Sequence, residues 1–169
     1  MKGNEKLTSL NGKENVEKDD PQIMLRGEID SLYARAVYTC SFARQYGYTA
    51  VLSGLEDIVR VVRELMRAEA MGDPPQIDSV MGMELEELRH VSHHIKSELG
   101  LEPYMPDEHT GEMTALLNLL RAEVRRTERA AVYVREDGSV NKDIQLVLNR
   151  LSSAAYILML ENHADRNGA

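Results

Sequence analysis

One cysteine, Cys40, is all the thiol chemistry in this 169-residue chain. A lone cysteine excludes an intrachain disulfide, a CxxC redox pair and a Cys/His zinc finger, and it points to a reducing compartment. Apolar runs are short too: none approaches the roughly 18 residues of a membrane span. The opening MKGNEKLTSLNGKENVEKDD lacks the apolar core of a signal peptide, so the chain reads as cytoplasmic with no membrane partner. Positive charge is scarce, 20 Lys and Arg against 28 Asp and Glu for −8 at pH 7. That balance speaks against a nucleic-acid partner, and any polyanion must be met by a local basic cluster. P-loop, GxGxxG and Gly-x-Ser-x-Gly signatures are missing, which leaves phosphate recognition to side chains and the N-terminal arm.

What is present suits one helical domain. A hydrophobic share of 43% is enough for a sizeable core. Residues 1–20 are polar, contain Gly3, Gly12, Asn4, Asn11 and Asn15, and read as a loop or mobile arm. From Pro21 onward Ile29, Leu32, Ala36, Val37, Cys40 and Ala43 recur at helical steps as far as Gly47. A second stripe runs through Leu55, Ile58, Val59, Val62, Leu65 and Met66 and stops at Gly72, Pro74 and Pro75. Leu85, Leu88, Val91, Ile95 and Leu99 predict a third helix closed by Gly100. In the fourth, Leu116, Leu120, Val124, Thr127 and Ala131 form one seam and Leu117, Arg121, Arg125 and Glu128 its neighbour. After a turn at Asp137 and Gly138, the fifth places Ile144, Leu148, Leu151, Ala155 and Leu158 on one face, with Asn141 as N-cap. No strand alternation is seen and no sheet is expected. The fold class is therefore all-α, an up-and-down bundle of about five helices over residues 21–169 behind a polar arm, 1–20.

Three groups of residues could carry chemistry. Arg121, Arg125 and Glu128 stand at i, i+4 and i+7 on one helix face. Two guanidiniums suit phosphate oxygens and a carboxylate can help hold Mg²⁺, but the same pattern suits an exposed face of i,i+4 ion pairs. Asn149 and Arg150 open the polar segment NRLSS ahead of the apolar AAYILML, either a site or the exposed start of a helix. Glu86, Glu87, His90, His93 and His94 have metal-like spacings, notably Glu87 with His90 and His90 with His94, yet a bundle metal site needs a second ExxH and none occurs; a structural or solvent-facing role suits them better.

The blocks RAEVRRTERAAV at 121–132 and NRLSSAAYILML at 149–160 resemble the two signature helices of ATP:corrinoid adenosyltransferases. LTSLNGKENVEKDDPQIMLRGEIDSL at 7–32 is similar to that family's ATP-loop and first-helix segment, including Lys18-Asp19-Asp20 and Asp30 of a G-x-x-D motif. MRAEAMGDPP, EELRHVSHHIKSELG, PYMPDEHTGE and ALLNLLR look like the ethanolamine-utilisation type, here its catalytic domain without that type's upstream Cys/His metal segment.

The resemblance implies transfer of the 5′-deoxyadenosyl group of ATP to the cobalt of reduced cobalamin, giving adenosylcobalamin and triphosphate in support of ethanolamine catabolism. It gives Arg121 a salt bridge to Asp30 of a neighbouring subunit. It gives Arg125, Glu128 and Asn149 to the triphosphate and Mg²⁺, with Glu128 as the metal-side carboxylate. Lys18 completes the phosphate site, Arg150 stands beside Asn149 as a ligand contact, and Tyr104 covers the lower corrin face. A homotrimer, a corrinoid-dependent ammonia-lyase or its reactivating system as partner, and association with a bacterial microcompartment are implied as well. The alternative is a non-catalytic corrinoid carrier or chaperone on the same bundle.

Overall fold

The computed structural model describes residues 7–10, 14–134 and 139–167. Four long helices build the bundle: α1 (Pro21–Gln45), α2 (Thr49–Met71), α5 (Glu112–Tyr133) and α6 (Ser139–Asn167). Between α2 and α5 the chain forms two short helices, α3 (Leu85–His93) and α4 (Ile95–Leu99). Side-chain contacts fix how the long helices run. Arg26 near the start of α1 meets Glu69 near the end of α2, and Arg44 near the end of α1 meets Glu56. Arg126 late in α5 meets Glu28 early in α1, Asn162 late in α6 meets Thr114 early in α5, and Gly54 of α2 faces Leu158 of α6. Each helix is thus antiparallel to both neighbours in the ring α1, α2, α6, α5, and α3 lies outside against α6.

The helices close on most of the apolar positions their spacing predicts, but Val37 is exposed, and on α5 Leu117 of the expected charged seam is buried while Leu116 is only partly so. Leu25, Ile29, Leu32, Ala36 and Ala43 of α1 are buried with Leu55, Ile58, Val62 and Leu65 of α2, Leu117, Leu120 and Val124 of α5, and Ile144, Leu148, Leu151 and Ala155 of α6. Burying one such Leu or Ile is worth about 1.5–3 kcal/mol, and this shared core holds the ring together. Gly54 lets α2 approach α6 closely: a Cβ there would lie 2.9 Å from a methyl of Leu158. The buried Glu69 is held by a two-pronged Arg26 at 2.8 and 3.0 Å and by Gln22 at 2.7 Å, the fork geometry that makes a buried carboxylate tolerable.

Several expectations are corrected. Small sheets do form: β1 (Leu7–Leu10) pairs antiparallel with β2 (Glu14–Glu17), and β3 (Ser79–Val80) with β4 (Met83–Glu84). So Leu7–Leu10 and Glu14–Glu17 of the polar arm are strands, not loop. Four- and two-residue strands are too short for a period-two pattern, and the informative signals were turn residues. Met81 and Gly82, both with positive φ, turn β3 into β4 while Asp57 accepts the Met81 N–H at 2.6 Å. The third predicted helix breaks at His94, where φ −125 and ψ 35 end α3 and α4 restarts. Asn141 lies inside α6 and donates to Gln22 at 3.5 Å instead of capping. The turn expected at Asp137 and Gly138 lies outside the described residues.

Candidate functional site

Midway along α5 and α6 a cleft of about 300 Å³ opens toward the end of α3. From α5 it receives Arg121, Arg125 and Glu128; from α6, Asn149, Ser152, Ser153 and Tyr156; from α3, Ser92 and His93. The spacing explains the gathering, since i, i+4, i+7 on α5 and i, i+3, i+4, i+7 on α6 are the facing edges of two antiparallel helices.

The electrostatics separate this cleft from an ordinary charged surface. Arg126, next to the cleft residues, is neutralised twice, by Glu28 at 2.6 Å and Glu123 at 2.7 Å. Arg121 and Arg125 have no ion-pair partner among the described residues. Arg121 is held below the usual guanidinium pKa by burial first and by the Arg125 charge second. Its Nε donates to Asn118 Oδ1 at 3.3 Å and its Cζ stands 5.8 Å from the Tyr156 ring centroid, within cation–π range. Neither contact cancels its charge. The exposed face of intrahelical ion pairs is therefore not what this motif forms; two uncompensated guanidiniums beside hydroxyls and an amide have the chemistry that suits an anion. Glu128 adds one carboxylate, whose Oε1 accepts from Asn149 Nδ2 at 2.8 Å.

The remaining candidates lie elsewhere. Arg150 is buried within α6, far past its start, and does not line the cleft. Its Nη2 donates to Glu86 of α3 at 2.8 Å and its Nη1 to Asn149 Oδ1 at 2.6 Å, while Nε is buried without a hydrogen-bond partner. That guanidinium holds the Glu86 carboxyl below the ordinary range. Asp30 is exposed on α1 and borders a different hollow of about 480 Å³, with Thr8 and Ser9 of β1, Arg26 and Glu69. Lys18 is exposed in the turn between β2 and α1. Tyr104 stacks on His163 near the end of α6, centroids 3.5 Å apart, and hydrogen-bonds Thr110 at 2.6 Å. Within one chain, then, Arg121, Arg125, Glu128 and Asn149 come together, and Lys18, Asp30 and Tyr104 do not join them.

Sequence reasoning passed over His93 and Tyr156. Tyr156 stands on the Asn149 face one turn beyond Ser152 and Ser153, a signal hidden by its place in an apolar run. His93 was grouped with His90 and His94, yet those two stack on each other with centroids 4.4 Å apart, and His90 meets Glu98 at 3.2 Å. The ring of His93 instead places Nδ1 2.8 Å from the Arg89 carbonyl. A carbonyl only accepts, so Nδ1 carries the proton and Nε2 is free. A larger hollow, about 570 Å³, has an acidic lining of Glu56, Asp57 and Glu161, and its Arg60 is paired with Asp57; nothing there suits an anion. No group of three or more His, Cys, Asp or Glu able to hold a metal occurs among the described residues, and no described helix is long and apolar enough to cross a membrane.

Against this geometry, residues 1–161 match the family described as cobalamin adenosyltransferase, and the chain belongs to that family. It is 35% identical over 158 residues to the corrinoid adenosyltransferase EutT of Escherichia coli K12, and 34% identical to that of Salmonella typhimurium. These alignments cover 91% of this chain and 57% of each relative, so the chain spans a little over half their length. A solved variant of the PduO-type ATP:corrinoid adenosyltransferase of Lactobacillus reuteri, complexed with cobalamin and ATP, shares the fold with TM-score 0.70 at 20% identity, covering 98% of this chain and 93% of that one. A second variant of that enzyme, complexed with ATP, gives TM-score 0.69 at 19% identity, over 98% and 94%.

Proposed function

We propose that this chain transfers the 5′-deoxyadenosyl group of ATP to the cobalt of a reduced corrinoid, in an oligomer whose sites are shared between chains. The observation that carries the reading is the cleft with two unpaired guanidiniums, on the very helices whose sequences resemble the signature blocks of the matched family. In the reaction, Co(I) attacks the 5′ carbon of ATP, a cobalt–carbon bond forms, and the carbon–oxygen bond breaks to release triphosphate. No protein nucleophile takes part. The protein's work is to align the reactants, receive the leaving group's negative charge and exclude water. Arg125 takes a phosphate directly, since it has no other partner. Arg121, backed by the Tyr156 ring, meets Asp30 of a neighbouring chain, and Lys18 of the N-terminal arm closes over the phosphates from there.

Mg²⁺ suits these residues in one way only. A single carboxylate, Glu128, with one oxygen committed to Asn149, cannot cage the ion, but one carboxylate plus phosphate oxygens is a usual arrangement for it. Bound so, the ion supplies further charge neutralisation for the triphosphate. Tyr104 would reach the lower corrin face only by leaving His163, and it remains the candidate for that role in the loop before α5. A trimer, service to a corrinoid-dependent ammonia-lyase in ethanolamine breakdown and a place in a microcompartment complete the proposal.

The test is incubation with ATP, Mg²⁺ and chemically reduced cobalamin, followed by chromatography for adenosylcobalamin. Product and triphosphate in equal amounts are expected. Tight corrinoid binding without product would favour a carrier on the same bundle.

A further inference from the structure

We infer that Arg150 is a positioning residue: together with Glu86 it forces one orientation on the Asn149 amide and so aims Glu128 into the cleft. The inference rests on the proposed activity for its meaning but not for its geometry. Four side chains from three helices run in line: Glu86 of α3 accepts from Arg150 of α6 at 2.8 Å, Arg150 donates to Asn149 Oδ1 at 2.6 Å, and Asn149 Nδ2 donates to Glu128 Oε1 of α5 at 2.8 Å. Chemistry fixes the direction at both ends. A guanidinium has only donors, so the amide atom facing Arg150 must be oxygen. A carboxylate only accepts, so the atom facing Glu128 must be the NH₂.

Without Arg150 nothing holds the amide oxygen, so the Asn149 side chain is free to leave its rotamer and the Glu128 carboxylate loses its fixed donor. With Arg150 in place, Glu128 is held through Oε1 and its second oxygen is left for the cleft. Arg150 is itself fixed at the far end, 6% exposed, by a carboxylate from outside the four-helix ring. Helix α3, which also brings His93 to the cleft, thereby sets the orientation of a group on α5 that it does not touch by this route. The orphaned Nε of Arg150 fits this assignment, because the side chain's other two nitrogens are placed for Glu86 and Asn149 at the expense of the third donor.

Two measurements test the relay. The first needs no substrate: the side-chain amide resonances of Asn149 in the free protein, assigned by their loss in Asn149→Ala, should shift in Arg150→Lys and in Glu86→Gln. Lysine keeps the charge but cannot reach both partners with a fork, and Glu86→Gln spares the buried position should Arg150→Lys fold poorly. Unchanged Asn149 resonances in both variants would overturn the inference.

The second is a double-mutant cycle on kcat/KM for ATP. Arg150→Lys should lower it by about 10- to 100-fold, with the KM for corrinoid unmoved. In an Asn149→Ala background the same change should cost less than about 2-fold, because the path it acts through is gone. Fully additive losses would also overturn it. Should the wild type make no adenosylcobalamin, the proposed activity falls, while the amide resonances still decide the relay.

Discussion

Truncating Arg125 to Ala separates a binding role from a structural one, because the structure gives this side chain nothing to hold. It is exposed on α5 and has no ion-pair partner among the described residues. Its removal leaves no cavity and no orphaned buried group, the two usual sources of large destabilisation. It also removes the charge that helps lower the Arg121 pKa, so the melting temperature should stay level or rise slightly. Activity should move the other way. One charge-assisted contact to a phosphate is worth about 1.5–3 kcal/mol, which is roughly 10- to 150-fold in kcat/KM for ATP. Corrinoid dependence should hardly change, since in the proposed reading this charge serves the phosphates of ATP. Arg125→Lys should fall between, keeping the charge and losing the bidentate fork. The assay is the absorbance of adenosylcobalamin formation with each substrate varied in turn, beside a thermal melt of each variant. An Arg125→Ala protein with unaltered kcat/KM for ATP removes the residue from the site, and a loss matched by a lower melting temperature returns it to structure.

Asp30→Ala and Arg121→Ala should each be nearly inactive, yet subunits of the two mixed by dilution and reassembly should regain measurable turnover, because some shared sites then carry both native residues; no recovery, or a fully active monomer by light scattering, counts against sharing. Glu161 has its carboxyl held above the ordinary range by burial first and Asp165 second. Its folded form therefore keeps a proton the unfolded chain releases, and this contribution is present at low pH and lost as pH rises through the folded value. Glu161→Gln should accordingly raise the melting temperature by about 1–3 °C at pH 7 and match wild type below the normal carboxylate range; equal melts at pH 7 refute it. His90→Gln with His94→Gln should leave turnover within about one order of magnitude, as the pair touch each other and Glu98 and do not line the cleft; a larger loss with folding retained would revive a metal role.

The long helices were legible because each buries one stripe, and two stops, those of α2 and of the short α4, fall on glycines with a backbone reason to end a helix. Gly72 and Gly100 do adopt left-handed conformations, at φ 71 and 68. What stayed hidden was set by contacts between distant segments. The 79–84 hairpin depends on Asp57, more than twenty residues away, taking the Met81 N–H. The start of α1 was placed by its periodicity, although Asp20 gave a local reason, its carboxylate accepting the Gln22 N–H at 2.8 Å ahead of Pro21. At the site, RxxxRxxE alone suits an ion-paired surface better than a phosphate cleft. The difference is where the carboxylates go: Glu28 and Glu123 take Arg126 and leave Arg121 and Arg125 uncompensated, and no spacing rule reports that. Arg150, adjacent to Asn149 in sequence, read as a second ligand contact; its burial against Glu86 comes from α3 packing on α6, which periodicity does not specify.

The placement of the candidates also bears on whether one chain can form the whole of the proposed site. Asp30 borders a hollow on the α1 and α2 flank beside the β1–β2 hairpin, whereas Arg121 and Arg125 open onto α5, α6 and the end of α3. In a ring ordered α1, α2, α6, α5, those clefts look out of different flanks, with the apolar core between them. A rigid bundle cannot bring them together without exposing that core, at a cost of a few kcal/mol for each large side chain uncovered. Joining two chains costs nothing of the kind, since both groups are already at the surface. If Lys18 and Asp30 act on the same ATP as Arg125, they must therefore come from a second copy, and the uncompensated charge on Arg121 is what such a copy would neutralise. An isolated chain should on this reasoning bind triphosphate weakly through Arg125 and turn nothing over, with activity rising more steeply than linearly with protein concentration below the assembly threshold. Strict proportionality down to concentrations where light scattering shows single chains would refute the shared site and require Lys18 to reach the cleft within its own subunit.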